Sequence, residues 1–229
     1  MGDRKHYHLV FRTRRLDLRI DLHVHTAYSN DCRLKLEEII DTVSLGKVDA
    51  LAITDHNEIE GALKLKEVAS FPVIVGEEIQ TIDGEIIGLF LRERITPGLS
   101  SYETVRRIKA QEGLVMIPHP YDRCRSSAID RKALMSILDH IDIIEVFNAR
   151  NVFPRDNERA NKLAVNRQLL RAAGSDAHTK QEIGNAYVEM EPFTDAKDFV
   201  RNLQSAAIVG KRSPLFCHLA TKTVKLRNF

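Results

Sequence analysis

Residues 18–26 read Leu-Arg-Ile-Asp-Leu-His-Val-His-Thr, and residues 170–178 read Leu-Arg-Ala-Ala-Gly-Ser-Asp-Ala-His. Each is a short run of largely apolar residues that passes into ionisable ones. In the first, Asp21, His23 and His25 alternate, so an extended backbone places all three on one face. The same grammar recurs in between. Ala50–Thr54 runs into Asp55-His56-Asn57, Val73–Val75 into Gly76-Glu77-Glu78, and Leu114–Ile117 into Pro118-His119-Pro120. Strand Ile141–Phe147 precedes Arg150. After these runs the apolar spacing turns helical, as in Leu36, Ile39, Ile40 and Val43. Asn57-x-x-Glu60 and Ser100-x-x-Glu103 predict capped helix starts, and Asp130 and Asp156 open two further helices. Asp83-Gly84 predicts a hairpin turn into strand Glu85–Leu91. A last helix around Phe199, Val200 and Leu203 precedes Ile208-Val209.

Six or seven β-then-α units imply a mainly parallel sheet with right-handed crossovers. An open doubly wound sheet and a TIM-like barrel both satisfy that pattern. No GxGxxG or GxxxxGK[ST] follows the first strand, so the nucleotide-binding open sheets lose their main support and the barrel is expected. The strand ends of a barrel converge on one mouth. Five of the nine histidines (His23, His25, His56, His119 and His178) would meet there with several acids. Burying so many ionisable groups unpaired costs several kcal/mol each, and metal ions would supply the partner. Imidazole and carboxylate together suit zinc, manganese or iron.

The 229 residues fit one domain spanning 1–229, with 43% hydrophobic and 29% charged residues. Thirty-four Lys and Arg against 32 Asp and Glu leave a net charge of +2, too balanced to favour a long polyanion or an anionic membrane. The N-terminal MGDRKHYHLVFRTRR lacks the apolar core of a signal peptide, and Cys32, Cys124 and Cys217 form no CxxC pair. These features predict a cytoplasmic protein with reduced thiols and no membrane partner. His6, His8, His140 and His218 fall outside the strand-end motifs, and Arg12–Arg15 and Lys222–Arg227 read as solvated ends.

The motifs at 21–26, 53–57 (Ile-Thr-Asp-His-Asn), 76–78, His119-Pro120 and 174–178 resemble, in order, those of the PHP (polymerase and histidinol phosphatase) family of metal-dependent phosphoesterases. The likeness runs over about 17–210. It implies a distorted TIM-like (βα)7 barrel of mainly parallel strands holding two or three divalent metal ions. By position, His23, His25, Glu78 and Asp176 would hold one metal. Glu78 would bridge to a second at His119, and Asp31, His56 and His178 would take a third. Glu78 is preferred to Glu77 because the family's acid stands two residues after the glycine, here Gly76. Many relatives have His where this chain has Asp31. Relatives also often carry a further His three residues before a glycine on the next strand; here that position is Glu85, an alternative ligand. The resemblance implies phosphoester hydrolysis, with Glu78, His119, Asp176 and His178 doing the chemistry through a metal-bridging hydroxide. Arg123, Arg125 and Arg150 follow strand ends and suit phosphate, Arg123 foremost. The expected partner is a small phosphorylated substrate or nucleotide. Oligonucleotide trimming, a catalytically silent metal-binding domain and amide hydrolysis are the competing readings, the last lacking a lysine at a strand end.

Overall fold

The computed structural model describes residues 17–214, so the motifs assigned above to both chain ends, with Cys217 and His218, lie outside the described residues. The strands are β1 (Leu18–Val24), β2 (Ala50–Ile53), β3 (Val73–Thr81), β4 (Gly84–Leu89), β5 (Leu114–Ile117), β6 (Ile143–Asn148), β7 (Leu170–Gly174), β8 (Ala186–Met190) and β9 (Ala207–Gly210). The helices are α1 (Leu36–Ser44), α2 (Glu60–Val68), α3 (Ser101–Ala110), α4 (Arg131–Ser136), α5 (Pro154–Arg167) and α6 (Ala196–Leu203). The strands hydrogen-bond in the order β7-β6-β5-β4-β3-β2-β1-β8-β9. Strands β1, β2, β3, β5, β6, β7 and β9 run one way, and β4 and β8 run the other.

The sheet curls until β7, at one end of it, comes back beside β1. Beyond the last residue of β7, Asp176 N donates to His23 O at 2.8 Å and His25 N donates to Ala177 O at 2.9 Å. A parallel bridge joins Val24 to Ala177. The result is a nearly closed barrel of mostly parallel strands. One buried cluster joins sheet to helices, pairing Ile53, Val75, Val115 and Ile117 with Ile39, Leu65, Val105, Ile108 and Leu134. A second takes Ile20, Leu22, Ala52, Ile74, Ile87, Met116 and Ala172 from successive strands, with Phe199 and Leu203 of α6.

Local chemistry sets most element boundaries. Ser100 Oγ accepts from Glu103 N, and Asp130 accepts from Lys132 N and Ala133 N, as N-caps should. Two expectations change, and one strand is new. Asn57 is not a cap: it sits at φ 57°, its Oδ1 accepts from Gln80 N, and α2 starts three residues later. Helix α5 starts at Pro154, whose missing N–H costs nothing in a first turn, so Asp156 lies inside that turn. Strand β8, which the apolar pattern does not announce, pairs antiparallel with β1 and carries β9 on its other edge.

Candidate metal centre

His23, His25, His56, Glu78, Glu85, His119, Asp176, His178 and Asp31 come together at the mouth of the barrel. All but His56 are buried, and His56 is nearly so. Ligand atoms lie within 4.8 Å of one another in four overlapping groups: His25–His56–His178, His23–Glu78–His119, His23–His25–Asp176 and His56–Glu78–Glu85. Glu78 belongs to two of these, one oxygen 3.0 Å from His119 Nε2, the other 3.2 Å from His56 Nδ1 and 3.3 Å from His23 Nε2. Asp31 spans His56 and His178, at 3.5 and 3.4 Å.

The surroundings aim these ligands. His23 Nδ1 lies 3.0 Å from Glu145 Oε1, and His25 Nδ1 lies 3.2 Å from Ser29 Oγ, itself bonded to Asp55. With Nδ1 carrying the proton in each ring, both Nε2 lone pairs point into one space. They stand only 3.1 Å apart, with Glu78 and Asp176 oxygens facing them at 3.3–3.7 Å. Asp176 Oδ1, fully buried, accepts no hydrogen bond. Lone pairs and an unsatisfied carboxylate oxygen crowded so closely repel unless a cation lies among them, so the donor set fits divalent metal.

Protons partly substitute for that cation. Burial opposes charge on His23 and His56, but Glu78 overcomes it: His23 is raised well above its ordinary pKa, with help from Asp176 and Glu145, and His56 reaches about 9. Burial and the neighbouring His178 and His56 push His25 down to about 3, leaving it neutral and ready to ligate. Burial works against ionised Glu78 and Asp176, yet both sit well below the usual carboxylate range, Glu78 through His23 and His56 and Asp176 through Arg125 and His23. His119 and Asp176 adopt φ 31° and 54°, backbone that non-glycine residues occupy at a cost, stored here at the site itself.

Other residues settle differently. Asp21 does not join the cluster; it accepts from Ser175 N and Gly184 N, bracing the strand ends. Glu85 does join, 3.7 Å from both His56 and His119, while its Oε2 accepts from Ser127 Oγ at 2.6 Å. Arg125 Nη2 reaches Asp176 Oδ2 at 2.5 Å, and Arg150 Nη1 lies 2.6 Å from His178 Nδ1. Arg123, the arginine expected foremost at phosphate, instead pairs with Asp156 at 3.0 Å and stacks over Phe153. Glu145 is the residue the motif reading does not single out. It orients His23 and accepts from His119 N at 2.8 Å. A lone carboxylate inside the apolar run Ile143–Phe147 is its signal. Beside His56, a cleft of about 790 Å³ is lined by Tyr28, Arg33, Lys35 and Arg94.

Models of two families match this chain: the PHP domain over residues 21–117 and the PHP-associated region over 154–208. An uncharacterized protein of Methanocaldococcus jannaschii, MJ1587, is 39% identical over 166 residues, 66% of this chain and 92% of that protein. A second from the same organism, MJ0417, is 35% identical over 175 residues, 75% of this chain and 70% of its own length. The chain belongs to the PHP domain family. A solved two-domain protein from Bacteroides vulgatus, containing a predicted PHP-like metal-dependent phosphoesterase, shares the PHP fold at TM-score 0.66 and 17% identity. The alignment covers 85% of this chain and 65% of that one, so the present PHP domain spans about two thirds of its length. Among the described residues no helix is long and apolar enough to cross a membrane.

Proposed function

We propose that the protein is a metal-dependent phosphoesterase hydrolysing phosphomonoesters or phosphodiesters of small molecules or nucleotides. The observation that carries this reading is Glu78, a buried carboxylate whose two oxygens face different histidine groups. That arrangement suits a bridge between two divalent cations held by His23, His25 and Asp176 on one side and His119 with Glu85 on the other. Asp31, His56 and His178 supply a third set. Bound cations would supply water activation and Lewis-acid polarisation of the phosphoryl oxygens. The chain's own part is to fix charge in advance. Glu145 and Ser29 hold the imidazoles in one tautomer, and burial excludes competing water. Arg33, Lys35 and Arg94 give the adjoining cleft cations that attract a phosphorylated substrate. The solved relative's description as a predicted metal-dependent phosphoesterase agrees with this chemistry.

Glu78→Gln tests the reading. Glutamine keeps the shape but offers one weaker acceptor, so folding persists while kcat falls by at least ~10²-fold, the scale of losing one major electrostatic contribution. The assay is a panel of nucleotides, sugar phosphates, histidinol phosphate and short oligonucleotides with Mn²⁺, Zn²⁺ or Mg²⁺, with metal content measured in parallel. No turnover by the wild type on any substrate, or wild-type kcat and metal content in Glu78→Gln, would overturn it.

A further inference from the structure

The segment between β5 and α4 crosses the mouth as a strap. It is built from successive turns: Asp122 N donates to His119 O, Arg125 N to Asp122 O, and Ala128 N to Arg125 O. On its outer side Arg123 is fastened to Asp156 of α5 and lies over Phe153. On its inner side the strap is fastened to two carboxylates of the metal centre. Arg125 Nη2 donates to Asp176 Oδ2 at 2.5 Å, and Ser127 Oγ donates to Glu85 Oε2 at 2.6 Å. Asp122 Oδ2 stands 3.5 Å from Arg125 Nε, directing the guanidinium inward. The outer anchor engages no candidate ligand, whereas both inner tethers use one.

We propose that Arg125 is a resident counter-cation, which neutralises Asp176 before metal arrives and is displaced by metal, freeing its guanidinium for the substrate's phosphate. The inference rests on the reading of this cluster as a metal centre. A carboxylate cannot give its full charge both to a guanidinium 2.5 Å away and to a divalent ion, so each weakens the other. Ser127 is a neutral donor and can keep its bond to Glu85 as that carboxylate turns to metal, so the competition falls on Arg125. Metal entry therefore loosens the Arg125 tether, while Arg123 with Asp156 and the backbone bond from Glu85 N to Ser127 O at 2.8 Å keep the strap in place. Arg125 then remains within reach of the mouth, where a planar fork of donors matches phosphate oxygens. The order of events is built in: metal first, phosphate second.

The test is metal binding by stripped protein, read by calorimetry with Mn²⁺ alone. Removing a charge-assisted competitor should tighten Mn²⁺ about tenfold in Arg125→Ala. Arg125→Gln, which keeps a donor without the charge, should tighten it as well and covers the case in which the alanine variant folds poorly. Hydrogen exchange in residues 121–128 should rise when Mn²⁺ is added to the wild type, and in Arg125→Ala it should be high already. Unchanged or weaker Mn²⁺ binding in both variants, or exchange in that segment indifferent to metal, overturns the displacement while leaving the metal centre standing. A wild type that binds no divalent ion overturns both.

Discussion

Glu77 and Glu78 are consecutive, and extended backbone sends them to opposite faces of β3. Glu78 meets four imidazoles, whereas Glu77 accepts from Ile95 N at 2.8 Å and leaves its other oxygen without a partner. Burial lifts Glu77 to about 7. An unfolded glutamate titrates near ~4.3, so between these values the folded protein binds a proton that the unfolded chain releases. Stability must therefore fall as pH rises through that window and stay lowered above it. Glu77→Gln removes the ionisation and keeps the acceptor for Ile95. Its melting temperature should exceed wild type by roughly 5 °C at pH 8, with the gap closing at pH 5. An equal offset at both pH values in a thermal-shift series would refute this. At this scale the strand-end histidines were legible because ligands cluster where motifs end. Glu145 was not, because its role depends on β1 and β5 lying beside β6, which no local spacing announces.

Strand β7 approaches β1 so closely that Gly174 has no room for a side chain. A Cβ there would lie 2.3 Å from His23 Cβ and 2.7 Å from Glu145 Oε1. Neither neighbour is a flexible tip free to move, since His23 is a candidate ligand and Glu145 its orienting acid. Gly174→Ala should therefore push β1 off β7, lowering Mn²⁺ affinity by at least tenfold, the scale of disturbing a ligand's support. Binding isotherms on the folded variant decide it; unaltered affinity would show that the seam gives way without moving His23. Elements with their own chemistry were readable in sequence. Asp130 caps α4 as expected, and the hairpin expected at Asp83-Gly84 forms with Ile82 and Asp83 as its turn and Gly84 opening β4. Asn57 satisfies the local pattern of a cap, but Gln80 N of the neighbouring strand claims its side chain. Strand β8 alternates buried and half-buried residues, but its short pattern, AYVEM, competes with nothing and signals little.

The whole barrel is gathered around a centre whose buried carboxylates are balanced, in the metal-free protein, by His23, His56 and Arg125. Ligation by residues from β1 through β7 should stabilise the fold as a unit, since metal binds the assembled site and hardly the unfolded chain. At 100 times the dissociation constant that gain is ~2.7 kcal/mol, which for a chain of this size raises Tm by roughly 5–10 °C. Calorimetry with and without Mn²⁺, reversed by chelator, provides the check, and a Tm indifferent to both would place the ions outside the folded core. The barrel was legible from its rhythm of strands and helices, and the antiparallel β8 was not, because it enters through pairing with a strand over 160 residues away. The bridge from Val24 to Ala177 joins the two ends of the motif-bearing core. Two of the four ligand groups draw on Asp176 or His178 together with His25. During synthesis, a chain still emerging from the ribosome holds the first histidines long before it holds their partners. These two sets can acquire their ions only after translation has passed the seventh strand, which makes metal loading a late step of this protein's maturation.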